Sequence, residues 1–145
     1  MLEVEGYTLP EDVYISLKGL TWARIEGDLV RVGLLDYAQA LAGRILFVNL
    51  KKPGTKVLFE KPLGTLESGK WAGPILSPVS GEIVEINTEV RRKPSLVNDD
   101  PYGRGWLAIL RPTALDLELP KLLKGEAAVE ALRRKIAEDR KKYRI

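Results

Sequence analysis

Residues 65–82 read Thr65-Leu-Glu-Ser-Gly-Lys-Trp-Ala-Gly-Pro-Ile-Leu-Ser-Pro-Val-Ser-Gly-Glu82. Short apolar runs lie on either side of Ser68-Gly69-Lys70, and Pro78-Val-Ser-Gly81 closes the second run with another turn. Gly69 and Gly73 tolerate positive φ, while Pro74 and Pro78 restrict the chain after the lysine. The spacing is too tight for helices. It predicts strand, turn, strand, turn, with Lys70 projecting from the first turn beside an aromatic neighbour, Trp71.

The same punctuation extends in both directions. Leu20–Glu26 and Leu29–Gly33 read as strands joined at Gly27-Asp28. Asp36 is placed to N-cap a short helix, DYAQALA, which Gly43 ends in the left-handed conformation. Ile45–Leu50 is a nearly continuous apolar run of the length of a well-buried strand. Val57–Phe59, Leu63–Leu66, Ile75–Leu76, Glu82–Asn87 and Trp106–Leu110 supply further strands, and Pro94–Asn98 one helical turn. Many short strands between Gly/Pro turns predict a mainly β fold, a sandwich or flattened barrel rather than a parallel sheet. Beyond Pro112 and Pro120 the character changes. From Glu126 to Lys142, Ala128, Val129, Leu132 and Ile136 fall on one face of a helix, which docks on the β domain or on a partner. The expected division is a β domain over 1–111 and a helical extension over 112–145.

Composition removes much chemistry. The 145 residues include no Cys and no His, which excludes disulfides, thiol nucleophiles, imidazole bases and Cys/His metal sites. A Ser-His-Asp triad is impossible. Hydrophobic residues make up 45% and charged ones 30%, ordinary for a soluble globular chain, and no apolar run approaches membrane-spanning length. The acidic start, MLEVEGYTLPED, does not read as a secretory signal, so the cytoplasm is the expected compartment. Abundant Lys, Arg and Glu with a single Met fits a heat-adapted source. The net charge of +3 arises largely in RRKIAEDRKKYRI, a helix end whose basic residues complement the helix dipole and are ordinarily solvated surface.

A lysine on a turn ordinarily keeps a surface soluble, and a lysine amine, protonated at neutral pH, makes a poor base. The frame around Lys70 indicates more. Pro10-Glu-Asp-Val-Tyr14, Trp22, Gly33-Leu-Leu-Asp-Tyr-Ala-Gln39, Gly43, Glu67-Ser-Gly-Lys70, Ser77-Pro-Val-Ser-Gly81 and Asn98-Asp-Asp-Pro-Tyr-Gly-Arg-Gly-Trp106 recur in order. Together these blocks, spanning roughly Leu9 to Leu110, resemble the H protein of the glycine cleavage system. The resemblance implies a lipoyl-domain-like barrel-sandwich with a short internal helix and a C-terminal helix. It further implies lipoic acid joined covalently to Lys70, with Glu67 recognised by the lipoate ligase or lipoyltransferase that attaches it. The implied role is a non-catalytic carrier of glycine catabolism and one-carbon metabolism. Such a carrier moves an aminomethyl group among glycine decarboxylase, aminomethyltransferase and dihydrolipoamide dehydrogenase. The expected state is a monomer, with no nucleic acid and no membrane among its partners.

The sequence also departs from the family pattern. Gly69 and Trp71 flank the lysine where the family usually has Val and Ala, and Leu20-Thr21-Trp22 stands where His-Glu-Trp is usual. Gly73-Pro-Ile-Leu76 replaces a Ser-Asp-Leu-Tyr run. Fewer polar groups around the arm leave a cationic cargo dependent on Glu26, Asp28 or another nearby acid, because an unpaired charge is costly in apolar surroundings. Two alternatives stand beside the first reading. One is an H-like lipoate carrier of sulfur intermediates for a heterodisulfide-reductase-like oxidation system; the other is a non-lipoylated basic binding module.

Overall fold

The computed structural model describes residues 1–143. β1 (Leu2–Val4) and β2 (Tyr7–Leu9) form a small hairpin that carries no clear signal in the sequence. β3 (Tyr14–Ser16), β4 (Thr21–Glu26) and β5 (Leu29–Leu34) follow as an antiparallel meander. Gly27 turns the β4–β5 hairpin with a φ of +64°, as the Gly-Asp pair predicts. α1 (Asp36–Ala42) leads to β6 (Ile45–Leu50) and the two-residue β7 (Lys56–Val57). β8 (Pro62–Ser68) and β9 (Ala72–Leu76) make the hairpin whose turn holds Lys70. β10 (Gly81–Ile86), short helices α2 (Thr88–Arg92) and α3 (Leu96–Asp99), and β11 (Ala108–Pro112) come next. α4 (Leu115–Glu118) and α5 (Gly125–Tyr143) end the described chain.

The strands assemble into a six-stranded sheet of order β3-β4-β5-β11-β10-β7 and a three-stranded sheet, β6-β8-β9, beside the small N-terminal hairpin. Pairing is antiparallel throughout and the sheets stay open, the mainly β barrel-sandwich arrangement expected. One core joins the two larger sheets. Val48, Leu63, Leu66 and Ile75 of the small sheet share it with Trp22, Val32, Ile83 and Leu110 of the large one. Trp22 is fully buried and lies flat against Gly33, where a Cβ would come within 2.4 Å of the ring. Its indole N–H donates to the Pro101 carbonyl at 3.2 Å, so the aromatic fills the core with its donor satisfied.

Several local expectations change. Asp36 does not cap α1; it is the first helical residue, and its carboxylate accepts from the Thr8 N–H, the Thr8 hydroxyl and the Gln39 amide. The Asp36 N–H is met by the Tyr102 hydroxyl at 2.9 Å, a tertiary partner doing what a local cap would do. Gly43 has φ +82° but ψ −168°, so it ends the helix in an extended, glycine-specific conformation rather than the left-handed helical one. β6 is not fully buried. A bulge between Ile45 and Phe47 turns Leu46 and Phe47 outward, 49% and 57% exposed, and returns Val48 to the core.

α5 docks on its own chain, against β1 and β3. Ala128, Val129, Leu132 and Ile136 are buried, the face its spacing predicts. Burying the three larger side chains contributes on the order of 6 kcal/mol, which outweighs the marginal stability of a lone helix. Among the described residues, no helix is long and apolar enough to cross a membrane.

Candidate functional site

Lys70 sits between β8 and β9, in the Ser68–Trp71 turn, and is exposed along with Gly69 and Trp71. Ser68 makes the tip rigid. Its buried hydroxyl donates to the Ala42 carbonyl at 2.6 Å and accepts from the Trp71 and Lys70 N–H groups at 3.1 and 3.3 Å. The Ser68 N–H closes the turn on the Trp71 carbonyl at 2.7 Å. One serine therefore fastens the hairpin to the last residue of α1. Ser68 was missed as a site residue in the sequence, although a serine opening a tight turn commonly bonds the backbone two or three residues on.

The platform beneath the lysine is the α1–β6 junction. A Cβ on Gly43 would lie 2.8 Å from Lys70 Cε, so the aliphatic stem of Lys70 passes over the bare Gly43 backbone. Asn98 locks this junction from below. Its side-chain oxygen accepts from the Ile45 N–H at 2.9 Å, and its amide donates to the Gly43 carbonyl and Gln39 Oε1, both at 2.9 Å. Tyr102 secures the other end of α1: besides receiving the Asp36 N–H, its hydroxyl donates to the Thr8 carbonyl at 2.7 Å. Burial pushes the Tyr102 phenol well above its ordinary value, which keeps it a donor across the accessible pH range. The NDDPYGRGW block thus braces the shelf on which Lys70 rests.

Beside the tip, at the edge of β9, runs a groove of about 300 Å³. Leu34, Leu41, Leu66, Trp71, Pro74 and Leu76 supply its apolar walls. The Trp71 indole folds back onto Gly73, where a Cβ would meet the ring at 2.5 Å. The Thr21 hydroxyl donates to the Leu76 carbonyl at 3.2 Å and holds β9 against β4. Leu20, on the facing wall, has a φ of +53°, a strained value for a leucine. Lys18 is the one charged residue among those lining the groove. The acids considered from the sequence lie elsewhere: Glu26 bonds Arg31 at 2.9 Å at the far end of the β4–β5 hairpin, next to Asp28. Five residues of strand separate Glu26 from Thr21, roughly 17 Å.

Glu67 is exposed near the end of β8, on the outward face, directly across from Phe47. Neither Glu67 nor the Lys70 amine has an ion-pair partner among the described residues. The site therefore offers a free primary amine on a rigid tip, a carboxylate one strand-turn away, and an apolar trough for a chain attached to that amine. It holds no acid–base pair aimed at a common point. An apolar acyl chain on Lys70 fits: the stem has a Cβ-free bed at Gly43, and the neighbouring groove matches a hydrocarbon tether.

Residues 13–135 match the family model described as glycine cleavage H-protein. The chain is 44% identical over 135 residues to the probable glycine cleavage system H protein 2 of Saccharolobus solfataricus, covering 91% of this chain and 90% of that one. It is 43% identical to the glycine cleavage system H protein 2 of Aquifex aeolicus, across 90% of this chain and 82% of the relative. The crystal structure of a glycine cleavage system H protein from Mycobacterium marinum superposes with a TM-score of 0.75 at 32% identity. That superposition covers 86% of this chain and 98% of the other.

Proposed function

Because the chain belongs to the glycine cleavage H-protein family, we propose that it is a lipoyl carrier with the arm attached at Lys70. The observation that carries the reading is the exposed amine of Lys70 on a hairpin tip that Ser68 fixes to α1. When attached, lipoic acid supplies a disulfide ring on a long flexible tether, able to take a cargo in one active site and deliver it in another. The chain's own residues present and orient that tether. Ser68 sets the direction of the tip, Gly43 leaves room for the lysine stem, and Asn98 keeps the junction from shifting. Glu67, near the end of β8, marks the turn for the lipoate ligase or lipoyltransferase. The chemistry belongs to the partners: glycine decarboxylase loads an aminomethyl group, aminomethyltransferase removes it, and dihydrolipoamide dehydrogenase restores the disulfide. The carrier works in the cytoplasm as a monomer, with residues 1–111 as the carrier domain and 112–145 as a helical extension.

A second reading is favoured by the groove. Its lining contains no carboxylate, its one charge is the cation of Lys18, and Leu20-Thr21 stands where the family usually has a histidine and an acid. A cationic aminomethyl cargo finds no counter-charge there, whereas a neutral or anionic sulfur cargo meets no penalty. Peptide mass spectrometry of host-derived protein tests the site: a lipoyl group on Lys70 alone is expected, and a bare Lys70 sinks both carrier readings. Reconstitution with glycine decarboxylase from the same host separates them. Exchange of labelled carbon dioxide into glycine is expected for the glycine carrier. Its absence, with normal reduction by dihydrolipoamide dehydrogenase, assigns the sulfur cargo.

A further inference from the structure

Lys70 stands between two different surfaces. At the β9 edge is the groove; on the outward face of the small sheet is a row formed by Phe47, Glu67 and Ala72, paired across β6, β8 and β9. Without the bulge, alternation from the buried Ile45 would turn Phe47 into the core and Val48 out. The bulge reverses this, leaving Leu46 and Phe47 both exposed and placing the phenyl ring opposite Glu67, three residues from the lysine. Bulges of this kind re-aim side chains next to functional sites. More than half of Phe47 is open to solvent, and among the described residues no base pairs with the Glu67 carboxylate.

Resting on the carrier reading of Lys70, we propose that the enzyme that acylates this lysine docks on Leu46 and Phe47, the exposed pair beside Glu67. In that step bases of the enzyme take two protons from the ammonium nitrogen in all, one before and one after Lys70 Nζ attacks the carbonyl carbon of an acyl-adenylate. The C–N bond forms as the bond from that carbon to the phosphate oxygen breaks, its electron pair leaving on AMP. The enzyme must bring its acyl carbon into bonding contact with Nζ, so its surface necessarily covers the flank of the tip. A small recess for Phe47 and a basic side chain opposite Glu67 match what this flank presents. Aromatic side chains are enriched at interfaces, where a few anchors carry most of the binding energy. The groove edge stays clear, free for the newly attached chain.

The test measures the initial rate of Lys70 lipoylation by a purified lipoate–protein ligase with ATP and lipoic acid, read by intact mass. Phe47→Ser and Leu46→Ser are compared with the unsubstituted chain, and Lys70 acetylation by a small succinimidyl ester is followed in parallel. A fall in the enzymatic rate of about tenfold for Phe47→Ser, with unchanged reaction toward the small ester, is the expected result. Equal enzymatic rates overturn the docking surface and leave the carrier reading intact. A parallel loss toward the ester also overturns it, since the substitution then acts on the amine itself. Failure of the unsubstituted chain to be modified overturns both. Radical footprinting of Phe47 in the unsubstituted chain mixed with the ligase requires no variant: protection is expected, and full reactivity in the complex refutes the surface.

Discussion

Ser68→Ala is the most direct probe of how the lysine is held. Besides a long approach to the Trp71 carbonyl at 3.4 Å, the buried hydroxyl makes three contacts: to the Ala42 carbonyl at 2.6 Å and from the Trp71 and Lys70 N–H groups at 3.1 and 3.3 Å. They are not equal. Lys70 and Trp71 are exposed, so their N–H groups turn to water at small cost. The Ala42 carbonyl, at the buried end of α1, loses its donor, and an orphaned buried acceptor costs about 1–3 kcal/mol. With a few tenths for the loosened turn, the expected loss is about 2 kcal/mol, or a Tm lower by about 6 °C for a chain of this size. Calorimetry gives the total, and hydrogen exchange at residues 69–71 locates it. The amides of Lys70 and Trp71 should exchange faster while those of the β4–β5 hairpin change only with global stability. A Tm within about 1 °C of the unsubstituted protein, with Lys70 and Trp71 exchange unaltered, would refute the assignment of Ser68 as the fastener of the tip.

Two further perturbations address the shelf and its anchor. Gly43→Ala places a side chain at φ +82° and ψ −168°, and should destabilise the fold by about 1–3 kcal/mol in urea titrations; a change below about 0.5 kcal/mol would show that this junction carries no strain. The Tyr37 phenol is raised well above its ordinary value, first by burial and then by the hydrogen bond it donates to Asp139 at 2.7 Å. An unfolded tyrosine ionises near pH 10, so stability that is full below about pH 10 drains away above it, by up to about 1.4 kcal/mol per pH unit. Tyr37→Phe should flatten that alkaline slope, leaving the share due to Tyr102, and identical slopes in the two proteins would exclude Tyr37 as a source.

The hairpin, the β4–β5 pair, α1 and α5 are legible in the sequence because each is marked locally. Gly27-Asp28 names its turn, and Ala128, Val129, Leu132 and Ile136 repeat at helical spacing. β1 and β2 are three residues each and β7 two, too short for any period to declare itself. The exposure of Phe47 is hidden for a different reason: an apolar run looks buried, and the bulge that contradicts it depends on the register against β8. The candidate site divides in the same way. Lys70 and Glu67 stand out through spacing and resemblance. Ser68 and Asn98 act through partners 26 and 55 residues away in Ala42 and Gly43, and no local pattern reports such contacts. The groove exists only where β9 meets the Lys18–Leu20 segment, so its apolar lining emerges with the fold.

The bond between Tyr37 and Asp139 joins residues 102 apart in the chain, and Arg140 reaches Glu5 at 2.8 Å from the same helix. Synthesis proceeds from the N-terminus, so α1, the hairpin and Lys70 are all made well before the residue that anchors α1 from outside. Closing so long a loop costs chain entropy that only the docking of α5 repays. The bond that anchors α1 from outside can therefore form only after Asp139 has been made. α1 is thus completed by a partner made 102 residues later, and its outside anchor is missing from any chain that stops short of α5.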